Sequence, residues 1–226
     1  LGSVLLAAAF TGFPARAGEP AGLHESLEQL ASVGMFSGAI VIRGRDGIRF
    51  SRGYGSADPF EARTFTTDTP ADSASLAKPV TSAAVLLLAA SGKIDLDAAV
   101  QLYLPEFPHP TTSVRQLLSH SAGLELRDDA ADLSHKDNAA LLAEATAPLF
   151  TPGSAFSYCN LCSVTLAMLI ERVTGQHYLQ VVSSLAGLPS GVTLRPARLA
   201  DWKGRAIGYR RLPDGNLERY DSWEGE

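Results

Sequence analysis

Ser75 and Lys78 stand three residues apart at the head of an apolar run, Pro79-Val80-Thr81-Ser82-Ala83-Ala84-Val85-Leu86-Leu87-Leu88. A serine hydroxyl is a poor nucleophile at neutral pH; it needs a neighbouring base, or a field that stabilises its deprotonated form, before it can attack a carbonyl. Residues three apart on a helix face the same way, so this spacing puts the Lys78 ammonium one turn from the Ser75 hydroxyl, and the positive helix end adds a field of the same sign. The pair could serve acyl transfer. It could equally be a helix-capping serine followed by an unrelated lysine. For an isolated S-x-x-K that is the commoner case, because the pattern is only two residues deep.

The element that must carry the pair is a helix. Val80, Ala83, Ala84, Leu87 and Leu88 recur at i, i+3, i+4, i+7 and i+8, which predicts one buried face. Ser75 is expected to cap its start, Pro79 lies close enough to that start to cost at most the first ladder bond, and Gly92 supplies a stop. Upstream, residues 24–35 pattern as an amphipathic helix with Leu27, Leu30 and Ala31 in phase. Gly38-Ala39-Ile40-Val41-Ile42-Arg43 and Ile48-Arg49-Phe50-Ser51-Arg52-Gly53-Tyr54 read as a hairpin about Gly44-Arg45-Asp46-Gly47. The segment 58–72, rich in Pro, Thr and Asp, is a loop leading to Ser75.

Downstream, residues 94–100 are expected to start a short helix, with Asp95 and Asp97 at its positive end. Thr112 or Ser113 can cap a helix over 114–120 that Gly123 closes. Further helices are predicted over 137–145, from Leu161 to Gly175, and over 176–185. Ala206-Ile207-Gly208-Tyr209-Arg210 and Asn216-Leu217-Glu218-Arg219-Tyr220 flank Pro213-Asp214-Gly215 as a second hairpin. Strands at both ends of a helical middle indicate an α+β fold: one layered sheet domain with a helical insertion.

The chain has 226 residues, enough to bury a core of roughly 70% of the unfolded surface. Lys and Arg number 19 against 24 Asp and Glu, a net charge of -5, and no basic tract stands out, which argues against nucleic acid and anionic membrane surfaces as partners. Glu125, Asp128, Asp129, Asp132 and Asp137, interspersed with Arg127 and Lys136, read as a solvated surface segment; neither a metal nor a cofactor is expected. Cys159 and Cys162 read as two small buried residues, ahead of two other readings. A redox pair lacks the strand-helix-strand surroundings, and a zinc site needs two more ligands with His177 alone nearby. Leu1 to Phe13 is apolar but too short to span a bilayer, and Ala15-x-Ala17 fits a cleavage signal. Residues 1–17 are therefore expected to be a signal-peptide remnant, and the mature protein to be periplasmic or secreted.

Three ordered motifs, Ser75-x-x-Lys78, then Leu117-Leu118-Ser119-His120-Ser121-Ala122-Gly123-Leu124, then Tyr158-Cys159-Asn160, resemble those of the serine β-lactamase and penicillin-binding superfamily. The resemblance runs from about Leu27 to Tyr220 and is nearest the class C β-lactamases with their DD-peptidase and esterase relatives. It implies a β-lactamase/transpeptidase-like fold, an antiparallel sheet with packed helices plus a helical subdomain. The expected domain covers residues 18–226, its sheet part about 23–57 and 203–226 and its helical part about 75–190.

The resemblance also implies roles. Ser75 would form an acyl-enzyme. Tyr158 would act as the base, with Lys78 stabilising its phenolate, and Asn160 would offer its amide to substrate and to Lys78; the Ser75 N–H, at the positive end of its helix, would be one oxyanion donor. Substrates would be β-lactams, D-alanyl peptides or other peptidoglycan-derived compounds, or small esters. Judged alone, Tyr158 is a core ring with a solvated hydroxyl and Asn160 a helix cap. His120 is expected to be a structural helix end, since no G-x-S-x-G nucleophile elbow occurs.

The family's third motif, Lys or His, then Ser or Thr, then Gly, has no counterpart. His120-Ser121-Ala122-Gly123 has the wrong spacing, and Trp202-Lys203-Gly204 lacks the hydroxyl residue. The C-terminal strands are accordingly expected to be missing from this chain. The competing expectation is a catalytically inactive fragment, or a cell-wall-binding relative without turnover.

Overall fold

In Gly38–Gly44 alternate residues turn to opposite faces, half-buried and exposed by turns, as a strand with one covered side requires. This strand, β2, pairs antiparallel with β3, Gly47–Tyr54, through the two-residue turn Arg45-Asp46, and a register shift falls between Ile42 and Arg43. Helix α1, Leu23–Ser32, lays Leu27 on Phe50 and Tyr54, with Leu23, Ala31, Phe36, Ile40 and Ile42 around them. It stops where Gly34 takes a positive φ of 73°, and its last carbonyls are satisfied by Gly34 N–H to Ala31 and Met35 N–H to Leu30. The helix and hairpin expected here are both present.

The structure, a computed structural model, describes residues 4–8, 22–124, 142, 147–185, 192–196 and 204–219. Strand β1, Val4–Ala8, pairs antiparallel with β6, Val192–Pro196. Strands β4, Ser56–Asp58, and β5, Arg63–Thr64, form a small third sheet; β7, Tyr209–Arg211, and β8, Leu217–Arg219, form the second expected hairpin. Among the described residues the strands thus form four two-stranded antiparallel sheets, which with the packed helices give the expected α+β fold. The segment 204–209 is tied to the N-terminal strands: the Arg63 guanidinium donates to the carbonyls of Gly204 (2.8 Å) and Arg205 (2.7 Å), Ile207 N–H to Ala57 (2.8 Å), and the Ser37 and Tyr209 hydroxyls lie 3.0 Å apart.

The larger core is helical. Helix α2, Ala77–Ala90, contributes Ala84, Val85 and Leu88. A short α3, Val114–Leu118, adds Val114 and Leu117; α4, Asn160–Thr174, adds Leu161, Val164, Leu166, Leu169 and Ile170; and α5, Tyr178–Leu185, adds Val181 and Val182. The buried face of α2 is Thr81, Ala84, Val85 and Leu88, one residue around from the expected set, and Leu87 is 44% exposed. Thr81 turns inward because its hydroxyl meets the Tyr178 hydroxyl at 2.6 Å, a polar pair that pins α2 to α5. Gly92, with φ 75°, ends α2 as expected, with Gly92 N–H donating to Ala89 and Lys93 N–H to Leu88.

Residues 94–100 form no α-helix. A turn in which Asp97 N–H donates to the Asp95 carboxylate leads to a single 3-10 turn, Val100–Leu102. The backbone of 96–100 bonds sideways to 112–115 instead: Val100 N–H to Thr112, Val114 N–H to Ala98, Arg115 N–H to Leu96. Groups spent on a neighbouring segment cannot build a helical ladder. Ser113, one of the two expected caps, caps α3 reciprocally with Gln116. The helix expected over 137–145 lies outside the described residues apart from Leu142, a buried member of the core. The acidic segment 125–137 likewise lies outside them.

Candidate active site

The nucleophile candidate sits on a strained approach to α2. Ala74 holds a φ of 43°, uncommon for a residue with a Cβ, and its N–H donates to the Asp72 carboxylate at 2.8 Å. One 3-10 turn, Ala74–Leu76, then runs into α2, so Ser75 lies one turn ahead of the helix. The expected cap is not formed: no side chain caps this helix start, and the Ser75 hydroxyl is engaged elsewhere. Lys78 Nζ donates to Ser75 Oγ at 3.0 Å, and the Tyr158 hydroxyl donates to the same oxygen at 2.7 Å. Two donors, one of them a cation, therefore converge on one serine oxygen. The Ser75 N–H has no partner among the described residues, whereas Leu76 N–H donates to Ser73 at 2.8 Å.

Tyr158 is brought in by the loop ahead of α4. That loop runs beside the one that ends α3, with Leu149 N–H donating to Gly123, Gly153 N–H to Ser121 and Ser157 N–H to the His120 carbonyl. At Gly123, with φ 71°, a Cβ would meet the Phe150 carbonyl oxygen at 3.1 Å, so the close approach of the two loops favours glycine there. The Tyr158 ring is 52% exposed, Lys78 Nζ lies 4.9 Å from its centroid, and the His120 ring lies against it with centroids 5.0 Å apart. Burial pushes the Tyr158 phenol up. Hydrogen bonding to Lys78 and Ser75 and the Lys78 charge together outweigh it, so the phenol lies below its ordinary value.

Asn160 is the first residue of α4, next but one to Tyr158 and exposed. Its amide bonds to no described residue, so the contact expected with Lys78 is not made. The helix cap expected of it belongs to Cys159, whose Sγ accepts the Cys162 N–H. Cys159 and Cys162 are both buried, as expected, but they are also bonded to each other as a disulfide. Ser75, Lys78 and Tyr158 are thus brought together by hydrogen bonds, and Asn160 is joined to none of them.

His120 contributes more than the helix end expected of it, because its ring reaches the Tyr158 segment. Among the described residues no group of three or more His, Cys, Asp or Glu could hold a metal ion, and no helix is long and apolar enough to cross a membrane.

The Beta-lactamase family model matches residues 24–193. Esterase EstB of Burkholderia gladioli is 35% identical over an alignment of 193 positions that covers 72% of this chain and 49% of that protein. A penicillin-binding protein of Bacillus subtilis strain 168 is 26% identical over an alignment of 186 positions that covers 75% of this chain and 40% of that protein. The chain thus spans half or less of the length of these relatives. Among solved structures, EstCE1, described as a hydrolase with promiscuous acyltransferase activity, superposes with a TM-score of 0.72 at 26% identity, over 87% of this chain and 57% of that one.

Proposed function

The chain belongs to the Beta-lactamase family, and from that premise we propose that the protein is an exported serine hydrolase that works through an acyl-enzyme on Ser75. The observation that carries the reading is the meeting of Lys78 Nζ and the Tyr158 hydroxyl on Ser75 Oγ. In the resting state the neutral phenol donates to the serine. Once Tyr158 is ionised beside Lys78, the direction reverses and the phenolate accepts the serine proton.

Ser75 Oγ then attacks the substrate carbonyl, and the carbonyl oxygen takes up negative charge facing the Ser75 N–H. Collapse of the tetrahedral intermediate breaks the bond to the leaving group, which takes the proton from Tyr158. Water enters by the same route in reverse: Tyr158 accepts its proton, hydroxide adds to the acyl carbon, and the proton returns to Ser75 Oγ as the acid departs. Asn160, exposed at the start of α4 and next but one to Tyr158, is the residue assigned to hold the substrate's amide.

The substrate class is a carbonyl compound with a good or strained leaving group: a β-lactam, a D-alanyl peptide or a small ester. An esterase and a penicillin-binding protein among the relatives support that range. Export to the periplasm or beyond rests on the Ala15-x-Ala17 pattern after an apolar stretch.

The test is covalent labelling. A fluorescent penicillin or a fluorophosphonate is expected to modify Ser75, identified by peptide mass spectrometry, and Ser75→Ala is expected to abolish the label. Labelling that survives this substitution would remove Ser75 from its role. Reversible binding of the penicillin with no adduct would favour a binding relative without turnover.

A further inference from the structure

His120 is tied to the Tyr158 segment on both sides of the phenol. Its carbonyl accepts the Ser157 N–H at 2.9 Å, and its Nδ1 accepts the Cys159 N–H at 3.2 Å. Its ring lies against Tyr158 at a tilt of 30° and meets Phe156 edge-on, with centroids 5.9 Å apart. To do this the residue holds a φ of 54°, just past the end of α3, a conformation unfavourable for a residue with a Cβ that persists only where its surroundings enforce it. An imidazole nitrogen that receives an N–H must present its lone pair, which places the ring proton on Nε2.

We infer that His120 is a positioning residue: a neutral, Nε2-protonated imidazole whose Nδ1 holds the Cys159 amide and thereby sets the Tyr158 hydroxyl against Ser75 and Lys78. The inference rests on the reading of Tyr158 as the base. Among the described residues, the charged and titratable groups acting on the ring are Lys78 from α2 and Tyr158 from the loop before α4; Cys159, bonded to Cys162, does not titrate. Burial first, and then the Lys78 charge, hold His120 below the usual histidine range, in keeping with an uncharged ring at neutral pH. A proton added to Nδ1 would face the Cys159 N–H and remove the acceptor.

Two substitutions separate the acceptor from the ring. Asn places Oδ1 near the position of Nδ1 and tolerates positive φ, so His120→Asn keeps the acceptor and loses the ring. His120→Phe keeps the ring and loses the acceptor. The phenol of Tyr158 is followed by NMR in protein labelled with 13Cζ-tyrosine, a readout that needs no turnover. In the unmodified protein and in His120→Asn, Tyr158 is expected to titrate below the ordinary phenol range. In His120→Phe its titration is expected to move up, with acylation of Ser75 slowed at least tenfold at unchanged KM.

An unmoved Tyr158 titration in His120→Phe would overturn the inference, as would equal shifts in both variants. If His120→Phe fails to fold, the 15N spectrum of His120 in the unmodified protein decides: an unprotonated Nδ1 at neutral pH supports the inference and a protonated one overturns it. Absence of Ser75 labelling in the unmodified protein would instead refute the hydrolase reading, while the two NMR readouts would still report on the placement of Tyr158.

Discussion

At the scale of single residues, the chemistry depends on how three polar groups share one oxygen. Ser75 Oγ accepts from both Lys78 and Tyr158, an arrangement that lowers the cost of charge on that oxygen as a proton leaves. Tyr158→Phe removes the proton acceptor and keeps the ring, so acylation is expected to slow by about 100- to 10,000-fold with a smaller change in KM, measured by stopped-flow with a chromogenic ester. In the proposed mechanism the phenolate is the active form. The rate of acylation is therefore expected to rise with pH through the Tyr158 ionisation, which the Lys78 contacts place below the usual phenol range. In Lys78→Met, which removes those contacts, the rising limb of kcat/KM is expected to move to higher pH. A limb that stays in place would show that another group limits the rate.

At the scale of elements, α2 and α3 owe their ends to local chemistry that can be tested separately from catalysis. Ser113 accepts the Gln116 N–H while the Gln116 side chain accepts the Ser113 N–H, so Ser113→Ala is expected to cost about 1 kcal/mol in urea denaturation. The helix start that carries Ser75 has no side-chain cap, which leaves the serine oxygen available to Lys78 and Tyr158. The loop pair 120–123 and 149–157 does for Tyr158 what α2 does for the Ser75–Lys78 pair: its backbone bonds fix where the side chain emerges.

At the scale of the molecule, helices α2, α4 and α5 share one core, and the site hangs on that packing. Leu169 is fully buried in it, and Leu169→Ala is expected to cost about 2–5 kcal/mol, read as a lowered midpoint of thermal or denaturant unfolding. The α5 residue Tyr178 reaches Thr81 one turn beyond Lys78, and the Thr81 hydroxyl also donates to the Ala77 carbonyl, so Tyr178→Phe is expected to destabilise by about 0.5–1.5 kcal/mol through the one hydrogen bond lost.

Local rules were enough to read α1, the β2–β3 hairpin, the Gly92 stop and the Ser75–Lys78 spacing from the sequence, because each depends on residues within a turn or two of one another. Three ordered motifs gave the family, its fold and Tyr158. Distant partners decided the rest. Thr81 turned the buried face of α2 toward Tyr178, residues 112–115 drew the backbone of 96–100 out of a helix, and the Ser75 hydroxyl met Lys78 and Tyr158 instead of capping α2. The contact of His120 with the Cys159 amide, 39 positions away, belongs to the same class. Such pairings depend on how loops pack, and a side chain's nearest neighbours in space leave no periodic trace in the chain that carries them.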